Sequence, residues 1–374
     1  MANDFSVSRR GLLSLAGGAA GLGLAPNGLL PAARAATNFA PVKEENAVIG
    51  FGHVGPISDE GWTYSHHVGF LAAKKAYPKA KFIEVESIPY SADATRTFRQ
   101  FVAQKCNLVI LSSEYGDLLA NVADKAPTTA WMECNGHGVA PNRSWYYVKH
   151  WFPTYVTGVA AGLMSKSGKL GYVGSLPVPS VYSGVNAFLM GARSVNPKAT
   201  MQVGLINSWF DPQAAAQMGT ALIDNGCDFL FGIMDEAAYL QVAEKRGVPC
   251  VMWNTDVRRY GPKSYVSSIV VNWDKFYVDQ IGERLKGTWK GEQKTLLNMG
   301  EGVDRDAWGA SVPDAVKAQA DAVRAKILAG FNPFTGEIKD SNGKVRVPKG
   351  ATMSEMELYD WNWAIEGVTG LKSA

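Results

Sequence analysis

The sequence predicts an α/β protein of two Rossmann-like lobes, each built on a parallel sheet, with a ligand cleft between them. Three observations predict it. The 374 residues exceed what one hydrophobic core normally holds. Apolar, strand-like runs alternate with helical segments, the pattern of parallel sheets with helices on both faces. The alternation also repeats: FVAQKCNLVIL (101–111) and LIDNGCDFLFG (222–232) each read helix, turn, Cys, polar residue, strand.

The first unit, 49–70 (IGFGHVGPISDEGWTYSHHVGF), organises the rest. An apolar run breaks at Gly52, a Gly/Pro/Ser/Asp cluster spans 55–61, and a helix follows with Phe70, Leu71 and Ala72 on its apolar side. Strand, polar turn, helix puts the turn at the carboxyl end of a parallel strand, where open α/β sheets bind ligands. Trp62 opens that helix, and two readings stand for it: packing against its own lobe, or half of an aromatic clamp for a flat ligand. Strands follow at 81–85, 106–111 and 128–132, with helices at 92–104 and 117–125 between them. The alternation restarts with helix 154–164, strand 170–173, helix 182–192, strand 203–206, helix 214–223, strand 228–231, helix 237–246 and strand 249–253. The apolar run YVSSIVV (265–271) reads as a strand returning to the first lobe, and 275–290 as its helix. Past Asn332 the chain is irregular, with a hairpin at 340–343. The resulting division is 45–150 plus 258–300 for lobe 1, 151–257 with part of the C-terminal segment for lobe 2, and 301–374 as an extension packed on the lobes.

Polar and aromatic residues gather at the strand ends, as a mostly apolar pocket with a few placed polar groups requires. Asp59, Gly61 and Trp62 follow the first strand, Glu133 follows the fourth, Trp209 and Phe210 follow a second-lobe strand, and Asp235 and Asn254 close two more. Blander readings stand beside these: Asp211 before Pro212 suits a helix N-cap, Asp256 suits pairing with Arg258 or Arg259, and Trp273-Asp274 suits the start of a helix.

Composition excludes other classes. Charged residues are 19%, hydrophobic residues 47% and formal net charge is +3, with no basic stripe for nucleic acid. Cys106, Cys134, Cys227 and Cys250 lack metal-ligand spacing, and the five His do not share one helix face, so neither a metal nor a cofactor is expected. GxSxG, HExxH, GxGxxG and P-loop motifs are absent. A secreted hydrolase using Glu133 with His66 or His67 is therefore only an alternative to a binding protein. Residues 1–35 read as an address: Ser8-Arg9-Arg10-Gly11-Leu12-Leu13 is a twin-arginine pattern, and Ala33-Arg34-Ala35 a cleavage site. The expectation is a soluble periplasmic protein cleaved near Ala35.

These residues also resemble a known family. Gly61-Trp62-Thr63-Tyr64-Ser65-His66, TGVAAGLMSKSGKLGYVGSLPVPSV (157–181), NAFLMGARSVNP (186–197), NSWFDP (207–212), SIVVNWDKFY (268–277), and PFTGEIKD with GKVRVPKG in 333–350 are similar to the basic membrane protein family. That family comprises substrate-binding proteins of ABC importers and includes bacterial purine-nucleoside receptors. The resemblance implies a type I periplasmic binding protein fold with three crossovers, permease subunits as partners, and no catalysis. In nucleoside-binding relatives the first turn reads Asp-Lys-Ser-Phe-Asn, the Phe stacking on the base. Asp59-Glu60-Gly61-Trp62-Thr63 stands there in this chain, so Trp62 inherits the stack, and Trp209 or Phe210 would cover the opposite face. Glu133 aligns with the relatives' strand-end Asp. Their Asp-x-Asp after VMW becomes Asn254-Thr255-Asp256, and a Lys after SIVV is replaced by Val271 or Asn272. Those positions hold ribose in relatives, so the resemblance implies a free purine base or similar heterocycle ahead of a nucleoside. A receptor presenting its ligand to a membrane sensor is the alternative role.

Overall fold

The computed structural model describes residues 39–58 and 60–372. The address predicted within 1–35, and Asp59, lie outside the described residues. The first half runs β1 (Val48–Gly52), α1 (Trp62–Ala76), β2 (Lys81–Val85), α2 (Ala94–Ala103), β3 (Leu108–Leu111), α3 (Asp117–Ala123), β4 (Ala130–Cys134) and β5 (Arg143–Val148). The second runs α4 (Trp151–Met164), β6 (Lys169–Gly174), α5 (Pro179–Arg193), β7 (Thr200–Leu205), α6 (Pro212–Asp224), β8 (Phe229–Ile233), α7 (Ala238–Arg246), β9 (Cys250–Asn254) and β10 (Tyr265–Val271). Then come α8 (Asp274–Lys286), β11 (Lys294–Leu297), β12 (Val303–Arg305), α9 (Asp314–Leu328), β13 (Ile338–Lys339), β14 (Val345–Val347), α10 (Glu355–Tyr359) and β15 (Val368–Thr369).

Two sheets carry the lobes. The first has the order β11-β5-β4-β3-β1-β2, and the second β12-β10-β9-β8-β6-β7-β15. Every pairing within them is parallel except β10 with β12. Helices cover the faces, so central strands are apolar on both sides, as in LVIL of β3, where every residue is buried. The chain passes between the sheets three times: from β5 into α4, from β10 into α8, and from β11 to β12. Among the described residues no helix is long and apolar enough to cross a membrane.

Two elements depart from the sequence reading. Tyr265–Val271 was expected in the first lobe; it lies in the second sheet, parallel to β9. Only residues 255–264 separate the two strands, and six of the seven residues of β10 are buried, so its backbone is satisfied on the open edge of β9. The return to the first lobe comes one element later, at α8, where the hydroxyl of Tyr77, just past α1, donates to the Val278 carbonyl at 2.9 Å. The second departure is β5, RSWYYV, which sequence reading passed over. It is buried throughout although it begins with Arg and Ser; its neighbours β4 and β11 supply the burial.

Local chemistry explains the remaining boundaries. Asp211 caps α6 by accepting from the Ala214 amide, as its place before Pro212 predicts. The hairpin expected near 340–343 is β13 against β14. In the second lobe α4 and α5 touch backbone to backbone. A Cβ at Gly158 would come 2.2 Å from the Phe188 carbonyl, and one at Gly191 2.1 Å from that of Tyr155. The four cysteines are free and buried.

Candidate ligand-binding cleft

The cleft is built where strands end. Asn135, Asn207 and Asn254, just past or at the ends of β4, β7 and β9, adopt positive φ (59°, 59° and 70°), and Glu60 before α1 does so at 57°. Such strain persists only where the surroundings hold it, and it gathers at ligand sites.

Trp62 is set by its own lobe. Its indole Nε1 donates to the Ser112 carbonyl at 2.7 Å, just past β3. The ring meets His66 edge-on at 4.7 Å and Trp273 at 5.7 Å and 88°. His66 in turn stacks on Trp273 at 4.6 Å, and its Nδ1 is hydrogen-bonded to the Tyr277 hydroxyl. Burial, with His53 nearby, holds the His66 pKa well below its usual range. Trp62 is thus a half-buried indole packed against its own lobe.

The second lobe closes on the start of α1. Asp235 Oδ1 accepts the Trp62 backbone N–H at 3.0 Å and the Asn254 side-chain amide at 3.0 Å. A Cβ on Gly61 would lie 2.7 Å from Asp235 Cα, so only glycine permits this approach. Beside it the Glu60 carbonyl accepts the Thr255 hydroxyl, and its carboxylate accepts the Tyr260 hydroxyl at 2.7 Å and pairs with Arg259. A cavity of about 300 Å³ runs along the junction. Glu60 and Gly61 wall one side; Phe210, Glu236, Gln241 and Tyr260 wall the other. Burial and the nearby Asp211 push the Glu236 carboxyl up to about 7, against an opposing hydrogen bond from the Ala238 amide.

The residues singled out in the sequence fall into three groups. Gly61, Trp62, Asp235 and Asn254 meet at the junction. Asn254 is buried, and because an aspartate only accepts, its Nδ2 must face Asp235; its Oδ1 is buried without a hydrogen-bond partner among the described residues. Trp209 and Phe210 flank the junction. The Trp209 carbonyl accepts the Asp235 amide at 2.9 Å, Trp209 packs on the core, and Phe210 is 56% exposed. Among the described residues neither ring contacts that of Trp62. Glu133 stands apart at the end of β4, where Oε1 accepts the Tyr115 and Gly116 amides just before α3 at 2.6 and 3.2 Å. Burial raises its pKa to about 7, against the Tyr115 hydrogen bond. Among the described residues it makes no hydrogen bond with His66 or His67, which bind Tyr277 and Glu84. Asp256 pairs with Arg258 and Trp273 precedes α8, as their blander readings have it.

Sequence reasoning missed Glu60, Thr255, Arg259, Tyr260 and Glu236. Each sits in a connecting segment, and Glu60 meets Thr255, Arg259 and Tyr260 only where the lobes come together.

The two parallel-sheet lobes agree with the comparisons. The family model for PnrA-like ABC transporter substrate-binding proteins matches residues 46–332. The chain belongs to that family. As a PnrA-like protein it is the substrate-binding component of an ABC transporter, and the family is one of solute-binding proteins, not of enzymes. It is 36% identical over 329 residues to a purine-binding protein of Brucella abortus, covering 87% of this chain and 93% of that one. A Haloferax volcanii protein provisionally named as an ABC transporter glucose-binding protein is 31% identical over 291 residues, 77% of this chain and 74% of that one. Among solved structures, an ABC transporter solute-binding protein of Conexibacter woesei has a TM-score of 0.63 at 18% identity, over 76% of this chain and 97% of its own. One from Aeropyrum pernix gives 0.64 at 16%, over 84% and 95%. These two likenesses establish the type I periplasmic binding protein fold of the PnrA-like chain.

Proposed function

We propose that this protein binds a flat, uncharged heterocycle, a purine base ahead of a nucleoside, between Trp62 and an aromatic ring of the Trp209–Phe210 pair, and delivers it to the permease. The observation that carries the reading is Asn254. Its amide nitrogen is committed to Asp235, so its buried Oδ1 can only accept. An unpaired buried acceptor costs about 1–3 kcal/mol, and an N–H on a ring edge relieves that cost. Trp62 supplies the flat apolar surface on the same junction, and the Brucella relative is named for purine binding. Glu133 and Asp235 stand as further readers of the ring edge. Asp59, three residues before Trp62 in sequence, belongs to the same proposed set.

A thermal-shift and calorimetric screen of nucleobases, nucleosides and unrelated solutes tests this. A cognate ligand at 100 times its dissociation constant adds about 2.7 kcal/mol of stability. Purine bases are expected to give the largest shift. A sugar is the second reading, favoured by the name of the Haloferax relative, and glucose belongs in the screen. Stabilisation by glucose and not by purines overturns the purine proposal.

Export through the twin-arginine route to the periplasm belongs to the same proposal. Replacing Arg9 and Arg10 with Lys is expected to leave the precursor in the cytoplasm; normal periplasmic delivery of that variant contradicts it.

A further inference from the structure

We propose that Glu60 is a positioning residue that latches the two lobes together before any ligand arrives. Three links converge on it from the opposite lobe. Its carbonyl accepts the Thr255 hydroxyl, its carboxylate accepts the Tyr260 hydroxyl at 2.7 Å, and the same carboxylate pairs with Arg259. The neighbouring Trp62 N–H adds a fourth link, to Asp235. Every donor and acceptor in this set belongs to the protein, so the latch needs no ligand to form.

The exposed Glu60–Arg259 pair alone contributes little, since water and salt screen it. Convergence gives the latch its strength. The left-handed backbone of Glu60 (φ 57°) accompanies the engagement of both its carbonyl and its carboxylate by the other lobe. The receiving segment is tied to its own lobe by contacts independent of Glu60. Arg258 binds Asp256 at 2.8 Å and Asp306 at 2.5 Å, the Tyr265 hydroxyl binds Asp306 at 2.7 Å, and Arg259 lies 4.6 Å over the Tyr260 ring. Closure therefore joins one loop residue to a prepared surface at small loss of conformational freedom. A latch that favours the closed state slows both entry and escape of ligand, because each requires opening.

Small-angle X-ray scattering of the ligand-free protein tests this without knowledge of the ligand. Wild type is expected to be compact at low salt and to expand at high salt as the ion pair is screened. Glu60→Ala is expected to raise the ratio of open to closed molecules about tenfold, the factor that about 1.4 kcal/mol supplies. Tyr260→Phe and Glu60→Gln give smaller shifts. The exchange Glu60→Arg with Arg259→Glu restores compactness that either single reversal loses. Stopped-flow tryptophan fluorescence with adenine gives a second readout: Glu60→Ala is expected to speed association as well as dissociation, which a variant that is merely misfolded does not do. Ligand-free wild type with the same radius of gyration as Glu60→Ala, at both salt concentrations, overturns the latch. A purine screen without hits leaves the scattering test intact, so the two proposals fail separately.

Discussion

Trp62→Ala is expected to weaken binding of every heterocyclic ligand by a similar factor, about 30- to 100-fold. The estimate follows from the physics of the ring. Burying an aromatic face and stacking on it are together worth about 2–3 kcal/mol, and each 1.4 kcal/mol is about tenfold in affinity. The indole is already held for the task. Its N–H is fixed on the Ser112 carbonyl, and His66 and Trp273 brace its edges, so little ordering remains to be done on binding. Stacking tolerates ring identity, so adenine, hypoxanthine and adenosine should lose comparable factors. Trp62→Phe should recover most of the loss. Titration calorimetry of the three ligands on the three proteins is the check, and an alanine variant within twofold of wild type would show that the indole only packs.

Gly61→Val is expected to lower affinity by about 100-fold while leaving the melting temperature nearly unchanged. A Cβ at position 61 would stand 2.7 Å from Asp235 Cα and 2.8 Å from its Cβ. Backbone atoms cannot rotate aside, so the lobes must separate. Separation removes the Trp62-to-Asp235 bond and the three links to Glu60. The clash arises only between lobes, so each lobe keeps its own core. A liganded state that cannot close loses whatever affinity resides in closure; about 2–3 kcal/mol of such affinity corresponds to the stated factor. Scattering should show an expanded molecule with or without ligand. Wild-type affinity in Gly61→Val would mean that the junction at Asp235 is not part of the bound state.

Much of the architecture was legible because it is written in short-range pattern. Strand, turn and helix at the start of the chain, the echo around Cys106 and Cys227, and the cap at Asp211 each depend on neighbours in sequence. What escaped depends on partners far away. Arg143 and Ser144 conceal β5, whose burial comes from β4 and β11. YVSSIVV looks the same whichever sheet receives it, and the free edge of β9 decides. The site divides the same way. Trp62, Asp235 and Asn254 could be placed near one another because strand ends converge. Glu133 at an equivalent strand end meets the Tyr115 and Gly116 amides of the loop after β3, a pairing no short-range pattern announces. Glu60 read as an ordinary turn residue, since Thr255, Arg259 and Tyr260 reach it only across the cleft.

The most direct test of the central claim is a crystal structure of the protein grown with adenine. The expected structure has a purine ring lying on the Trp62 indole, covered from the second lobe by Trp209 or Phe210, with a ring N–H directed at Asn254 Oδ1 and the Trp62-to-Asp235 contact intact. Adenine bound away from Trp62, or a closed cleft that excludes it at saturating concentration, would contradict the account.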